Sequence, residues 1–399
     1  DSDIDDALGP HGRGSTRAVS VSVSYNVSVR WIVCLNRCVD ASPLLLWDNK
    51  KCPHSRTDSS DEITNMSPAP DNRAILFIGS HGGDFKAIEC RSGRVVWTTS
   101  LGSKQHIEGS AACLPSKMLV FVCSYLGNDV DGSNALKSVG SESANSVGTV
   151  WAMSVETGEV VWSAETSEEL KGTPVVDERN CSLWVGCHDH GLYRYDCLTG
   201  ELLAGLHCSG SIFASPLLSR CGLTVYAACT NAQGSLHAYD IHTSSECWKY
   251  ITGAPIFSSP AMTLDGNLIF GAVDCVLRCI SSMGCLMWSF SATRPIFCSP
   301  YIYKSSSSVT EELVVWGAHD CCVRCCRARD GSLVWESKLD SVIFASPCHL
   351  RDVVIIATTA GFVVAINECG GKVSETRLSG EVFSSPVILL GEDLMYIGC

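Results

Sequence analysis

Ala152-Met153-Ser154-Val155-Glu156-Thr157-Gly158-Glu159-Val160-Val161-Trp162 holds a strand end, a tight turn and a second strand within one short stretch. Thr157-Gly158 supplies the turn, because glycine reaches the positive φ that such turns demand. The β-branched pair Val160-Val161 suits a pleated strand, and Trp162 brings a large flat ring to its middle. The same phrase recurs along the chain. Trp97, Trp248, Trp288 and Trp335 each close a similar segment, with Gly93, Gly284, Gly331 and Gly371 marking the turn alongside Gly158 and Gly200. Ala204 and Glu375 stand at the Trp position in the two weakest copies, and Trp31 holds it ahead of the first.

A second landmark keeps the same phase. Ser-Pro or a near variant occurs at Ser42-Pro43, Thr173-Pro174, Ser215-Pro216, Ser259-Pro260, Ser299-Pro300, Ser346-Pro347 and Ser385-Pro386, with a degenerate copy at Gly109-Ser110-Ala111. From Pro174 onward the prolines follow one another at a nearly even interval. Each period reads as four strands separated by His-Asp or Gly-Gly and then by Thr-Gly, Ser-Gly or Asp-Gly turns. Four-stranded units at a period of about 40 residues close radially into a β-propeller, which leaves few free sheet edges. The expected fold is therefore all-β, with about eight blades. Residues 1–18 are expected to be a disordered linker and residues 19–399 the propeller, with surface loops inserted at 47–72 and 126–149. The eighth unit starts at Ser385-Pro386 and reaches only its second strand at Cys399. The alternating segment Val21–Val33, carrying Trp31, is expected to supply that blade's outer strand. On this reading the chain is a fragment that lacks a third strand.

Bulk properties narrow the function classes. The chain has 399 residues, 46% hydrophobic, and a formal charge of −13. That balance supports a large core and opposes a nucleic-acid or anionic-membrane surface, either of which needs a basic face. No apolar run approaches the roughly 18–20 residues of a membrane span, and the acidic start Asp-Ser-Asp-Ile-Asp-Asp is not a signal peptide. The 24 cysteines read as small core residues in a reducing, cytoplasmic compartment, because Cys, Ser and Ala interchange at the position of Ser80, Cys187, Cys229, Ala272, Ala318 and Cys399.

The pattern Ala-x-Asp-x-x-Thr-Gly-x-x-x-Trp, with Ala87, Ala152, Ala238 and Ala365 in its first position and Asp196 and Asp240 in its acidic one, resembles the tryptophan-docking motif of the pyrroloquinoline-quinone propellers. The resemblance implies a Trp packed between neighbouring blades. The strings Cys38–Pro43, Ile78–His81 and Gly380–Pro386 resemble the C-terminal propeller of the β-alanine-activating enzymes, in the acyl-CoA synthetase family. There the propeller follows an adenylation domain and a phosphopantetheine carrier domain, neither of which is in this chain.

Candidate chemistry is sparse. Cys321-Cys322 and Cys325-Cys326 look superficially like the adjacent-cysteine disulfide of quinone enzymes, but lie in the wrong part of the repeat for an axial cofactor. Cys322-x-x-Cys325 has zinc-knuckle spacing, yet residues three apart in a strand point to opposite faces. His81, His188 and His319 share one repeat position, two of them followed by Asp189 and Asp320, and read as turn stabilisers. Phe213, Phe257, Phe297, Phe344 and Phe383 each precede a Ser-Pro and read as wedges between blades, with a ring at the mouth of an axial channel as the alternative. No catalytic, cofactor-binding or metal residues are assigned. The expected function is a non-catalytic binding or scaffold module of an acyl-activating enzyme, facing a phosphopantetheine carrier domain or another protein. The alternative is a pyrroloquinoline-quinone-dependent oxidoreductase domain, which would need calcium.

Overall fold

A computed structural model describes residues 32, 33, 35, 39–46, 74–127, 147–305, 310–389 and 394–399. Trp31, most of the predicted N-terminal strand, the linker and nearly all of the two predicted loops lie outside the described residues. The rest is a β-propeller. Six blades have four antiparallel strands in sequence order, blade two has five, with both Gln105–His106 and Ala112–Leu114 paired to Leu119–Leu126, and an eighth contributes two. Blade one runs from Leu44–Leu46 to Val95–Ser100, blade two from Gln105–His106 to Val160–Thr166, and blade three from Val175–Asp177 to Leu202–His207. Blades four to seven begin at Leu217–Leu218, Ala261–Met262, Tyr301–Lys304 and Cys348–Leu350. Blade eight pairs Val387–Leu389 with Leu394–Tyr396. The described residues include no α-helix, and none of their helices could cross a membrane.

The Ser-Pro landmark is the closure device. The backbone N–H of each landmark Ser or Thr donates to the hydroxyl of the next: Ser42 to Ser110, Ser110 to Thr173, Thr173 to Ser215, and Ser215 to Ser259. Ser259 donates to Ser299, Ser299 to Ser346, and Ser346 to Ser385. Ser385 then donates back to Ser42 at 2.8 Å. This closed cycle, with one bond per blade, fixes the blade number. It also explains why the degenerate copy at residue 110 lost its proline but kept its serine. The Tyr396 hydroxyl adds a second closing bond, donating to the Cys90 carbonyl at 3.0 Å.

Apolar packing runs between blades. Phe77, Phe85 and Trp97 of blade one pack with Val120, Val122 and Met153 of blade two, and the pattern repeats around the ring. The Trp of one blade lies over the turn glycine of the next. A Cβ on Gly158 would sit 2.6 Å from the Trp97 ring, and those on Gly200, Gly284 and Gly331 would sit 2.6–2.7 Å from Trp162, Trp248 and Trp288. Each of these four indoles also donates to a carbonyl of the neighbouring turn, as Trp162 Nε1 does to Cys197 O at 2.9 Å. Glycine is thus required twice at these turns, for its positive φ and for the space the indole fills.

Two expectations are corrected here. In blade seven the docking glycine is Gly370, which has φ +83° and lies under Trp335, and the Trp-equivalent residue is Ser374, paired with Ala365. The turn is one residue shorter than in blade three, because Gly370 bonds back to Asn367 whereas Gly200 bonds back to Asp196. Gly371 and Glu375 are therefore each one place off. The second correction concerns Trp248, expected to be buried like its equivalents but only half-buried. It docks on the same short kind of turn, in which Gly284 bonds to Ser281. Trp97, Trp162, Trp288 and Trp335 are all buried.

Where a blade lacks the Trp, its neighbour lacks the glycine. Blade three has Ala204 at the Trp position, and the next turn carries Ser244 at φ +57°. Among the junctions whose Trp position and facing turn are both described, that between blades three and four is thus the undocked one.

The described cysteines form no disulfide with one another, and most are buried. Burial pushes several thiols up, Cys279 and Cys298 to about 12, which makes them poor nucleophiles.

Two outcomes follow for the docking pair. Trp162→Ala should cost about 3–5 kcal/mol in denaturant unfolding. Gly200→Ala should cost at least the roughly 1–2 kcal/mol of a left-handed backbone, and the double variant should lose less than the sum of the two. A loss below about 1 kcal/mol for Trp162→Ala would contradict the docking role.

Candidate functional site

Strand alternation turns the closure segments into a site. Counting back from each ring hydroxyl, the third residue is Val39, Ile107, Leu170, Ile212, Ile256, Ile296, Ile343 or Val382, and all are buried. These are the true wedges between blades. Ile212, Ile296 and Ile343 press against Gly186, Gly271 and Gly317, where an added Cβ would lie only 2.2–2.5 Å away. The second residue back points to the opposite side of the extended chain. Around the cycle it reads Asp40, Glu108, Lys171, Phe213, Phe257, Phe297, Phe344 and Phe383.

The five phenylalanines form a continuous arc. Successive ring centroids lie 5.4 Å apart from Phe213 through Phe257 and Phe297 to Phe344, and 5.7 Å from Phe344 to Phe383. All five are half-buried. Of the two sequence readings, the ring round the axis is the one seen. His319 is packed into the arc, 4.5 Å from Phe297 and 4.4 Å from Phe344, with its Nε2 unpartnered. Burial lowers its pKa.

The remaining three positions form a polar arc. Asp40 pairs with His81 at 3.2 Å. Glu108 accepts a short hydrogen bond from the Tyr125 hydroxyl, and Lys171 lies 2.8 Å from Glu169 and 4.8 Å over the Tyr125 ring. His188 joins the two arcs, 3.6 Å from Glu169 and 6.1 Å from Phe213. Its pKa is lowered by burial and by the Lys171 charge. The hydrogen bond to Asp40 raises that of His81.

The shared histidine position therefore serves this axial face, which corrects the turn-stabiliser reading. Turn stabilisation falls to the aspartates: Asp189 accepts from the Gly191 N–H and Asp320 from the Cys322 N–H. Asp320 also anchors Arg324 through two bonds. Cys325 and Cys326 pack into different inter-blade layers, as alternation requires. Among the described residues, one group of possible metal-ligating side chains comes together: Cys208, Cys229 and His237. Sequence reasoning did not single out Cys208 or His237.

A surface with an apolar aromatic arc facing a polar, mostly acidic arc can hold a ligand with one greasy side and one hydrogen-bonding or cationic side. The family follows from the repeats that build it. Residues 144–399 match the model of the β-propeller of the β-alanine-activating enzyme. The chain belongs to that propeller family. Residues 81–203 also match the model for the outer membrane protein assembly factor BamB.

Curated relatives called β-alanine-activating enzyme are 27% identical over 278 residues in Drosophila melanogaster, covering 63% of this chain and 27% of that protein. The Danio rerio protein is 30% identical over 184 residues, 38% of this chain and 15% of that protein. The Homo sapiens protein is 29% identical over 140 residues, 33% of this chain and 12% of that protein. The aligned region thus spans about a quarter or less of these relatives' length. Among solved structures, the computationally designed Ika8 protein superposes with a TM-score of 0.63 at 14% identity, covering 82% of this chain and 90% of that one. BamB from Moraxella catarrhalis gives 0.59 at 15%, covering 85% and 91%. Both likenesses concern the fold alone.

The Asp40–His81 pair makes a pH prediction. A histidine whose folded pKa is raised contributes stability that is complete below its unfolded value, about 6.5, and is lost as pH rises through the folded value. Proton NMR titration should place His81 above its ordinary value of 6.5, and Asp40→Asn should bring it down. The stability gap between the parent and Asp40→Asn should narrow as pH rises through neutrality.

Proposed function

We propose that this propeller is a non-catalytic binding module of an acyl-activating enzyme, and that its axial face receives a phosphopantetheine carrier domain. The observation that carries this reading is the contiguous five-phenylalanine arc, left half-exposed where a purely structural wedge would be fully covered. Exposed aromatic clusters rimmed by polar groups mark interaction surfaces. A prosthetic arm of this kind is long, flexible and amide-bearing. The phenylalanine arc suits its apolar portions, and Lys171, His188 and the acidic groups suit its polar ones. The relatives' name supplies the acyl-activating context. The many unpaired thiols support a reducing, cytoplasmic setting.

The test is calorimetric titration of the 399-residue chain with an acylated phosphopantetheine carrier domain and with the same domain lacking its prosthetic arm. Arm-dependent binding is expected, weakened at least about tenfold, or about 1.4 kcal/mol, by Phe257→Ala together with Phe297→Ala. Binding that ignores the arm or the two phenylalanines would overturn the proposal, as would no binding at all.

A further inference from the structure

The undocked junction between blades three and four is where the cysteine–histidine group lies. Cys208 directly follows the outer strand Leu202–His207 of blade three, Cys229 ends the second strand of blade four, and His237 sits in its third strand. Their ligand atoms all lie within 4.8 Å of one another. Cys208 and Cys229 are 1% and 0% exposed, and the His237 side chain 3%.

The surroundings prepare the imidazole. His237 Nδ1 donates to Glu246 Oε1 at 2.5 Å, which leaves the lone pair of the neutral ring on Nε2. That nitrogen lies 2.9 Å from Ser209 Oγ and 3.0 Å from Ser235 Oγ. A carboxylate on the far nitrogen of a ligating histidine is the usual outer support of a zinc site. The Tyr239 hydroxyl, 3.5 Å from Cys208 Sγ, donates its proton to His207 O at 2.8 Å. Full burial rules out a substrate-reaching nucleophile.

We infer that Cys208, Cys229 and His237 form a structural site for a soft divalent cation of the zinc type, with Ser209 or Ser235 Oγ as the fourth ligand, stapling the blade junction that lacks a tryptophan. Thiolate and imidazole donors select such an ion, and two thiolates neutralise its charge in a dry interior. Zinc–ligand bonds of about 2.0–2.3 Å need only a modest contraction of the group.

The repeat supplies conservative variants. Ala272 and Ala318 hold the position of Cys229, and Ala292 and Leu339 that of Cys208, as their matching backbone bonds show. Cys229→Ala and Cys208→Ala therefore place at each site a residue the fold already uses there. The experiment is cobalt titration of the full chain, purified under reducing conditions with chelator and then freed of it, followed by zinc displacement.

The parent should bind one equivalent with thiolate-to-cobalt charge-transfer absorption and intense tetrahedral d–d bands, and zinc should remove both and raise the thermal midpoint. Each Ala variant should lose that equivalent, while Cys247→Ser, at an exposed cysteine, keeps it. Absence of the bands in the parent would overturn the site. So would their persistence in both Ala variants, or a Cys208–Cys229 disulfide found by peptide mapping of the native protein. The zinc-dependent midpoint is read on the parent alone, so the test survives a variant that does not fold.

Discussion

Backbone N–H groups, one per blade and each donating to the hydroxyl of the next blade's Ser or Thr, tie the molecule into a cycle. A single such bond contributes about 1 kcal/mol net, but the cycle does more than its sum. It sets the blade count and the position of every blade's first strand relative to its neighbour. It also satisfies polar groups where the chain segments of all the blades crowd together and sheet pairing is unavailable. The bond between Ser385 and Ser42 brings positions 343 residues apart into register. The flanking proline is dispensable, as Ser110 shows, whereas the hydroxyl is not replaced except by that of Thr173.

Outside this inner cycle, the blades are held by apolar layers and by Trp–Gly docking. The docking device needs both partners. An indole over a turn requires a residue without Cβ, and the glycine gains nothing from its conformational freedom if no ring arrives. Ala204 and Ser244 show the pair lost together. The same junction has gathered Cys208, Cys229 and His237, three polarisable or ligating groups, with Cys208 standing where blades five and six have Ala292 and Leu339. Deleting one interaction and gaining another at a single interface is consistent with each junction needing its own adhesive.

Period-two alternation links this frame to the axial face. The residue that wedges between blades and the residue that faces the axis are neighbours in sequence, so the frame fixes their placement but not their chemistry. Wedge positions are uniformly Val, Leu or Ile because each fills a gap closed by a glycine or small residue. Axial positions are free of that demand and vary from Asp to Lys to Phe. The variation is blockwise: three polar positions in succession, then five phenylalanines. Adjacent rings reinforce one another through tilted and edge-on contacts. The histidine of the second-strand turn follows suit, paired with Asp40 at the polar end and sandwiched between phenylalanines at the apolar one.

The fold was legible because its signals are local and repeated. A turn glycine shortly before a Trp, and a Ser-Pro once in every blade, encode strand, turn and blade without reference to distant contacts. The off-by-one at Gly370 arose where a turn shortened by one residue, a change that leaves the glycine-rich text almost unaltered. The phenylalanine positions were visible in sequence, but whether they wedged or ringed depended on which side of an extended segment each faced. That is set by the packing of Ile against glycine in these segments. The Cys208–Cys229–His237 group had no signal in spacing, since its members come from two blades and three strand ends or strands. Sequence alone determined the repeat and hence the propeller, because backbone turns and strand periodicity are short-range. Which side chains meet was decided only by closure of the ring, because the contacts that join blades depend on the relative placement of whole sheets.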